Sequence, residues 1–271
     1  MKRIVLAVRP VLVLLVCTLG LVAQEAAVTH APDGRAPQFV MALIFPPKPG
    51  APFMANARMV AVQILPDKST VTMHSERAVA RDNDGRIFEE RRQFMPGSGP
   101  EASRLLAVDY MDPQAHTQHR CFPGPNYCAI YDYFFGTPRM MPVGLQADKT
   151  TYLTREQFGT ETVAGVEAQH SRETFTLYME SVGNSRTILR IVDYWYSPEL
   201  GINVQVKRHD PRDGDQTLWL TDLTQSAPDP ATFNLPEGYR MVDLTHTGAA
   251  PGPVITRWRP PAKTLTPAPT Q

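Results

Sequence analysis

The chain has 271 residues, with 27 Lys+Arg balanced by 27 Asp+Glu, so its formal net charge is zero. A balanced chain carries no electrostatic footprint for nucleic acid. Setting aside two terminal stretches leaves about 200 residues, enough to bury roughly 70% of the unfolded chain's surface in one core without a metal or cofactor as a folding aid.

Lys2, Arg3 and Arg9 precede or flank an apolar run over residues 11–23. A positive start followed by a short apolar stretch reads as a secretory signal over residues 1–24. The run is shorter than the ~20 residues a spanning helix needs, so no membrane span is expected after cleavage. Cys17 follows Val16 rather than the small residue that lipoprotein processing uses, and it is assigned to the removed segment. Residues 25–50 carry Pro32, Pro37, Pro46, Pro47 and Pro49 and read as a Pro-rich linker. Within them, residues 39–45 read as a short strand or as an apolar latch on the domain.

Strand patterning begins at Arg58. Residues 59–65 and 69–81 flank Pro66, and residues 86–94 return after Asp82-Asn83-Asp84-Gly85. Asn, Asp and Gly enter the left-handed region most readily, so this tetrapeptide is a hairpin turn. A calcium loop fails on register: with Gly85 at loop position six, Ala80 takes the first position and Arg91 the twelfth, where carboxylates are required. The same test on Gly214 places His209 first and Pro211 third, and fails too. The charges between Arg86 and Arg92 are expected to form cross-strand pairs on a solvated face.

Residues 105–110 form another strand. His116, His119, Cys121 and Cys128 follow, the cysteines bracketing Pro123-Gly124-Pro125. Two readings compete. In an oxidising compartment Cys121 and Cys128 should close a disulfide across a hairpin. A zinc site from the four residues is the alternative, but their spacing matches no zinc pattern, and His116 and His119 would point to opposite faces of a strand. Tyr131, Tyr133, Phe134 and Phe135 are expected to pack in the core or at its rim. Residues 139–157 are the least legible, with 150–158 read as a helical turn or a strand.

Residues 160–168 read as strand, glycine turn, strand. Residues 172–179 alternate, with Phe175, Leu177 and Met179 on one face. Between residues 188 and 224 three strands are joined by Ser197-Pro198-Glu199-Leu200-Gly201 and Asp210-Pro211-Arg212-Asp213-Gly214-Asp215, and short joints make them antiparallel neighbours. Ile202, Val204 and Val206 should face a core, with Asn203, Gln205 and Lys207 opposite. The stretch 247–271 is proline-rich and is expected to be disordered; it holds Trp258 between Arg257 and Arg259.

Four groups of residues occur in a fixed order: Arg81-Asp82 with Gly85-Arg86; Gly165-Val166-Glu167-Ala168; Trp195-Tyr196-Ser197-Pro198-Glu199-Leu200-Gly201; and Pro228-Asp229-Pro230 with Phe233, Leu235-Pro236 and Gly238-Tyr239. In this the chain resembles a group of secreted proteins common in acidobacterial genomes and, more distantly, is similar to the LolA/RseB-like half-barrels. The resemblance covers residues 52–243. It implies a curved antiparallel sheet around an apolar cavity with a short helix or loop as a lid, and relatives that carry acylated lipoproteins or sense envelope stress. It brings no catalytic residues with it.

The expectation is therefore a mainly β chain, a curved antiparallel sheet or half-barrel over residues 51–246 with few short helices. It is expected to be exported to the periplasm or secreted, and to be non-enzymatic. It should bind an apolar or acylated ligand, or a lipoprotein, in a half-barrel cavity, with no cofactor, no metal and no nucleic-acid partner. Two alternatives stand beside this: an envelope stress-sensing or structural module that binds another protein, and a hydrolase whose site is assembled only in space. Gly-x-Ser-x-Gly, His-Glu-x-x-His, phosphate-loop and Gly-x-Gly-x-x-Gly signatures are absent. His74, His170 and His209 lie in strands and read as surface or satisfied histidines.

Overall fold

The computed structural model describes residues 43–97, 103–136 and 141–251. The expected signal segment, most of the expected linker and nearly all of the proline-rich tail, Trp258 included, lie outside the described residues. Those residues form one open sheet of fourteen strands and no α-helix. The strands are β1 (Phe53–Ile64), β2 (Thr70–Arg81), β3 (Ile87–Arg92), β4 (Met95–Pro96), β5 (Leu105–Asp112), β6 (Thr117–Phe122), β7 (Tyr127–Asp132), β8 (Gly144–Leu145), β9 (Thr151–Val163), β10 (Val166–Leu177), β11 (Ile188–Ser197), β12 (Ile202–Asp210), β13 (Gly214–Thr224) and β14 (Arg240–Asp243). Their order is β14-β7-β6-β5-β3-β2-β1-β13-β12-β11-β10-β9-β8, with β4 beside β2 off this path. Neighbours are antiparallel except β14, which joins β7 in parallel. The mainly β, largely antiparallel expectation is met, and of residues 150–158 all but Thr150 are strand, the start of β9.

The strands follow from alternation and end where turn chemistry ends them. Ile202, Val204 and Val206 are all buried, Val204 fully (0% exposed). Gly214 opens β13 at φ +88°, and a Cβ there would lie 2.1 Å from the Val62 carbonyl oxygen. Positive φ and this close approach both call for glycine. In the Asp82 turn, one carboxylate oxygen accepts from the Asp84 and Arg86 amides and the other from Arg86 Nε at 2.6 Å. Met179 departs from its expected face. β10 stops at Leu177, and the Ser181 amide bonds the Tyr178 carbonyl at 3.2 Å, turning Met179 out to solvent.

One side of this sheet is the core face. Residues paired directly across strands share a face, and one such row runs Gln157, Ser171, Tyr194, Val206, Leu218, Met59, Ser75 from β9 to β2. The buried cluster includes Met59, Val79, Ile87, Leu153, Phe175, Val192, Val206 and Leu218. With no helix among the described residues to cover it, a single sheet buries such a face by its own twist and by bulges that bend it. Register shifts sit at Met54/Asn56, Arg91/Arg92, His170/Ser171 and Trp195/Tyr196.

Residues 43–51 form a strap over one end of this face. Leu43 and Phe45 are buried, and the Phe45 ring lies 5.8 Å from that of Phe53. Arg81, 0% exposed, holds the strap. Its guanidinium donates to Pro46 O at 2.7 Å, to Ala51 O at 2.9 and 2.7 Å, and to Leu200 O at 2.6 Å. Lys48 Nζ donates to Pro198 O and Glu199 O. Arg86 lies over the Phe233 ring at 5.1 Å. Phe233 ends a 3-10 turn (Pro230–Phe233) whose start is capped by the Asp229 carboxylate. Three of the four residue groups behind the sequence resemblance thus meet around the Arg81–Arg86 turn, where their work is structural.

Candidate functional site

The core face is sealed at its centre and more open on one wing. Across β1, β13 and β12 the inward residues are buried, whereas on β9, β10 and β11 Arg155, Ser171, Ile188, Arg190 and Tyr194 are half-buried and Gln157 is exposed. Leu153, Phe175 and Arg190 stand in one row of this wing, and Arg155, Glu173, Val192, Arg208 and Gln216 in the next. The wing is therefore apolar wall with charged groups set into it.

Those charges are paired with one exception. Arg155 Nε donates to Glu173 at 2.9 Å. Arg208 bridges Asp210 and Asp213 at 3.3 and 2.8 Å, and Arg212 donates to both Asp210 oxygens. Burial would raise the Asp210 pKa, but the Arg212 and Arg208 guanidiniums and the Arg212 amide hold it at about 2. Arg190 has no carboxylate within ion-pair distance among the described residues. Its guanidinium carbon lies 3.8 Å from the Phe175 ring centroid, and its buried Nε has no hydrogen-bond partner. Tyr194 beside it is pushed up to about 12, by burial first and by Glu173 second.

The opposite wing carries a charge ladder. Ala55, Val79, Glu89, Asp109, Arg120 and Ala129 form one row from β1 to β7. Arg91 Nε meets Asp109 at 2.7 Å and Arg91 Nη2 meets Glu89 at 2.9 Å; Arg120 donates to both Asp109 oxygens at 2.6 and 2.8 Å. Arg77 approaches Glu89 at 3.1 Å. Asp109 is fully buried; burial alone would raise its pKa, and the two arginines lower it. The expectation of a solvated face for Arg86 to Arg92 is corrected here. Glu89 and Arg91 point into the core face, and the Glu90–Arg92 pair lies on the other side, where a Glu90 oxygen also accepts from the Ala78 amide at 2.9 Å.

Cys121 and Cys128 face each other across the β6–β7 hairpin and are joined as a disulfide. Such a bond fits an extracytoplasmic location. His119 lies on β6 and His116 in the preceding turn, stacked on exposed Phe134. Among the described residues no three His, Cys, Asp or Glu side chains converge as a ligand set. His170 stacks on Trp195 at 4.3 Å with Asp193 at 3.1 Å, on the outer face. His209 meets Asp215, and His74 meets the Gly97 carbonyl. Arg190 was not singled out from sequence, though Ile188, Arg190, Val192 and Tyr194 alternate on one face, and a lone arginine on an apolar stripe is a readable signal.

No family model and no curated protein matches the chain. Solved structures resemble it distantly. An uncharacterised conserved protein from Thermus thermophilus shares 8% identity at a TM-score of 0.37, covering 72% of this chain and 91% of that one. The Pseudomonas aeruginosa MucA/MucB complex shares 12% at 0.34, covering 70% and 58%. A LolA superfamily protein from Nitrosomonas europaea shares 10% at 0.28, covering 69% and 92%.

Proposed function

We propose that this is an exported, non-enzymatic envelope protein that holds an apolar or acylated molecule against the β9–β11 wing of its core face. One observation carries the reading. On that wing half-buried Ile188, Arg190 and Tyr194 stand among buried Leu153, Phe175 and Val192, and no α-helix or second sheet covers it among the described residues. An apolar wall with few, placed polar groups is what a small-molecule site requires. The test is binding of the uncharged fluorophore 1-N-phenylnaphthylamine to solvent-extracted, folded protein. Saturable binding, competed by extracted envelope lipid, supports the reading; folded protein without saturable binding refutes it.

A second reading, docking of an envelope protein, is favoured by one feature. Leu145, Tyr152 and Leu189 are exposed in a single outer-face row with Thr176, and Tyr178, Met179 and Val182 are exposed in the adjoining turn. Co-purification of one stoichiometric protein, lost on Leu189→Asp, supports it.

A further inference from the structure

We infer that Arg190 is the headgroup subsite of that wing, and that the ligand is an anionic amphiphile whose carboxylate or phosphate it accepts. This rests on the apolar-ligand reading and adds the charge the ligand must carry. Around Arg190, the carboxylate of Glu173 is taken by Arg155, that of Asp210 by Arg208 and Arg212, and that of Asp213 by Arg208. Four arginines thus meet three carboxylates, and Arg190 is the cation left over. A buried guanidinium nitrogen without an acceptor costs free energy, so the site calls for an acceptor from outside the chain. Two features fix where that acceptor would sit. Stacking on Phe175 at 3.8 Å sets the plane of the guanidinium, and a planar fork prefers an oxyanion that takes two of its donors at once. Half-buried Ile188 lies one pair along on the same face, an apolar contact for a chain attached to the head, with buried Leu153, Phe175 and Leu177 beside it. Burial lowers the Arg190 pKa first and the neighbouring Arg208 second, while Asp210 and Tyr194 draw it partly back up and Arg212 adds a smaller lowering. A bound anion relieves that repulsion as well as the missing hydrogen bond.

The experiment compares three probes on the full chain after solvent extraction: cis-parinaric acid, its methyl ester, and a monoalkyl phosphate of similar chain length. In the wild type the acid or the phosphate binds about tenfold or more tightly than the ester, the gain expected of a charge-assisted hydrogen bond. The tighter of the two anions identifies the head as carboxylate or phosphate. Arg190→Gln removes the preference while keeping ester binding and a wild-type circular dichroism spectrum, and Arg190→Lys restores part of it. Equal binding of acid, phosphate and ester to the wild type overturns the inference and leaves the apolar site standing. So does a preference that survives Arg190→Gln. Failure of every probe, ester included, overturns the site itself.

Discussion

Replacing Arg81 by methionine tests whether one buried cation ties the strap to the sheet. Methionine keeps most of the packing over Phe53, 5.0 Å from the guanidinium carbon, but offers no donor. The carbonyls of Pro46, Ala51 and Leu200 are then left without this partner. Hydrogen bonds to a charged group contribute about 1.5–3 kcal/mol each, and the total is offset by the several kcal/mol that burying the cation costs. That cost is visible in Arg81 itself, whose pKa burial lowers to about 10. The net expected loss is about 3 kcal/mol. Arg81→Lys, which keeps the charge but not the fork, should lose about half of that. Urea titration followed by tryptophan fluorescence measures the loss, and limited proteolysis within residues 43–51 shows whether the strap is released first. An Arg81→Met protein within about 1 kcal/mol of wild type, with unchanged strap cleavage, would refute the clasp.

Asp109→Asn should be more damaging than its conservative shape suggests. It leaves Arg91 and Arg120 facing a neutral group in the buried ladder, for a loss of about 3–5 kcal/mol by urea titration. Asp210 sets an acid limit. Its folded pKa of about 2 lies below the ordinary carboxylate value of 3.8, so its stabilisation is complete above pH 4 and lost as pH falls towards 2. The amount is about 2 kcal/mol. Asp210→Asn should flatten the stability–pH curve in that window; an unchanged slope would refute the assignment. Cys121 and Cys128 should give no reactive thiol without reductant, and their double serine variant should lose about 2 kcal/mol, as expected for a short closed loop. Free thiols in the mature, oxidised protein would contradict this.

Much of the sheet was legible because alternation and turn chemistry are local properties. Ile202, Val204 and Val206 announce a strand with one buried side, and Asp82-Asn83-Asp84-Gly85 announces a hairpin whichever strands flank it. The sheet's order was not legible, nor was the parallel docking of β14 on β7, because pairing depends on partners far along the chain. The same reason hid the polar sites. In residues 86–92 alternating charges look solvated, yet Glu89 turns inward because Val79 and Asp109, from β2 and β5, share its row. Arg81 reads as one more strand residue until Pro46, Ala51 and Leu200 converge on it. Arg190 reads as an ordinary charge until the nearby carboxylates are assigned to other arginines. Side-chain period decides which residues share a side of a strand; only the assembled sheet decides which side loses its water and which charge is left without a counterion.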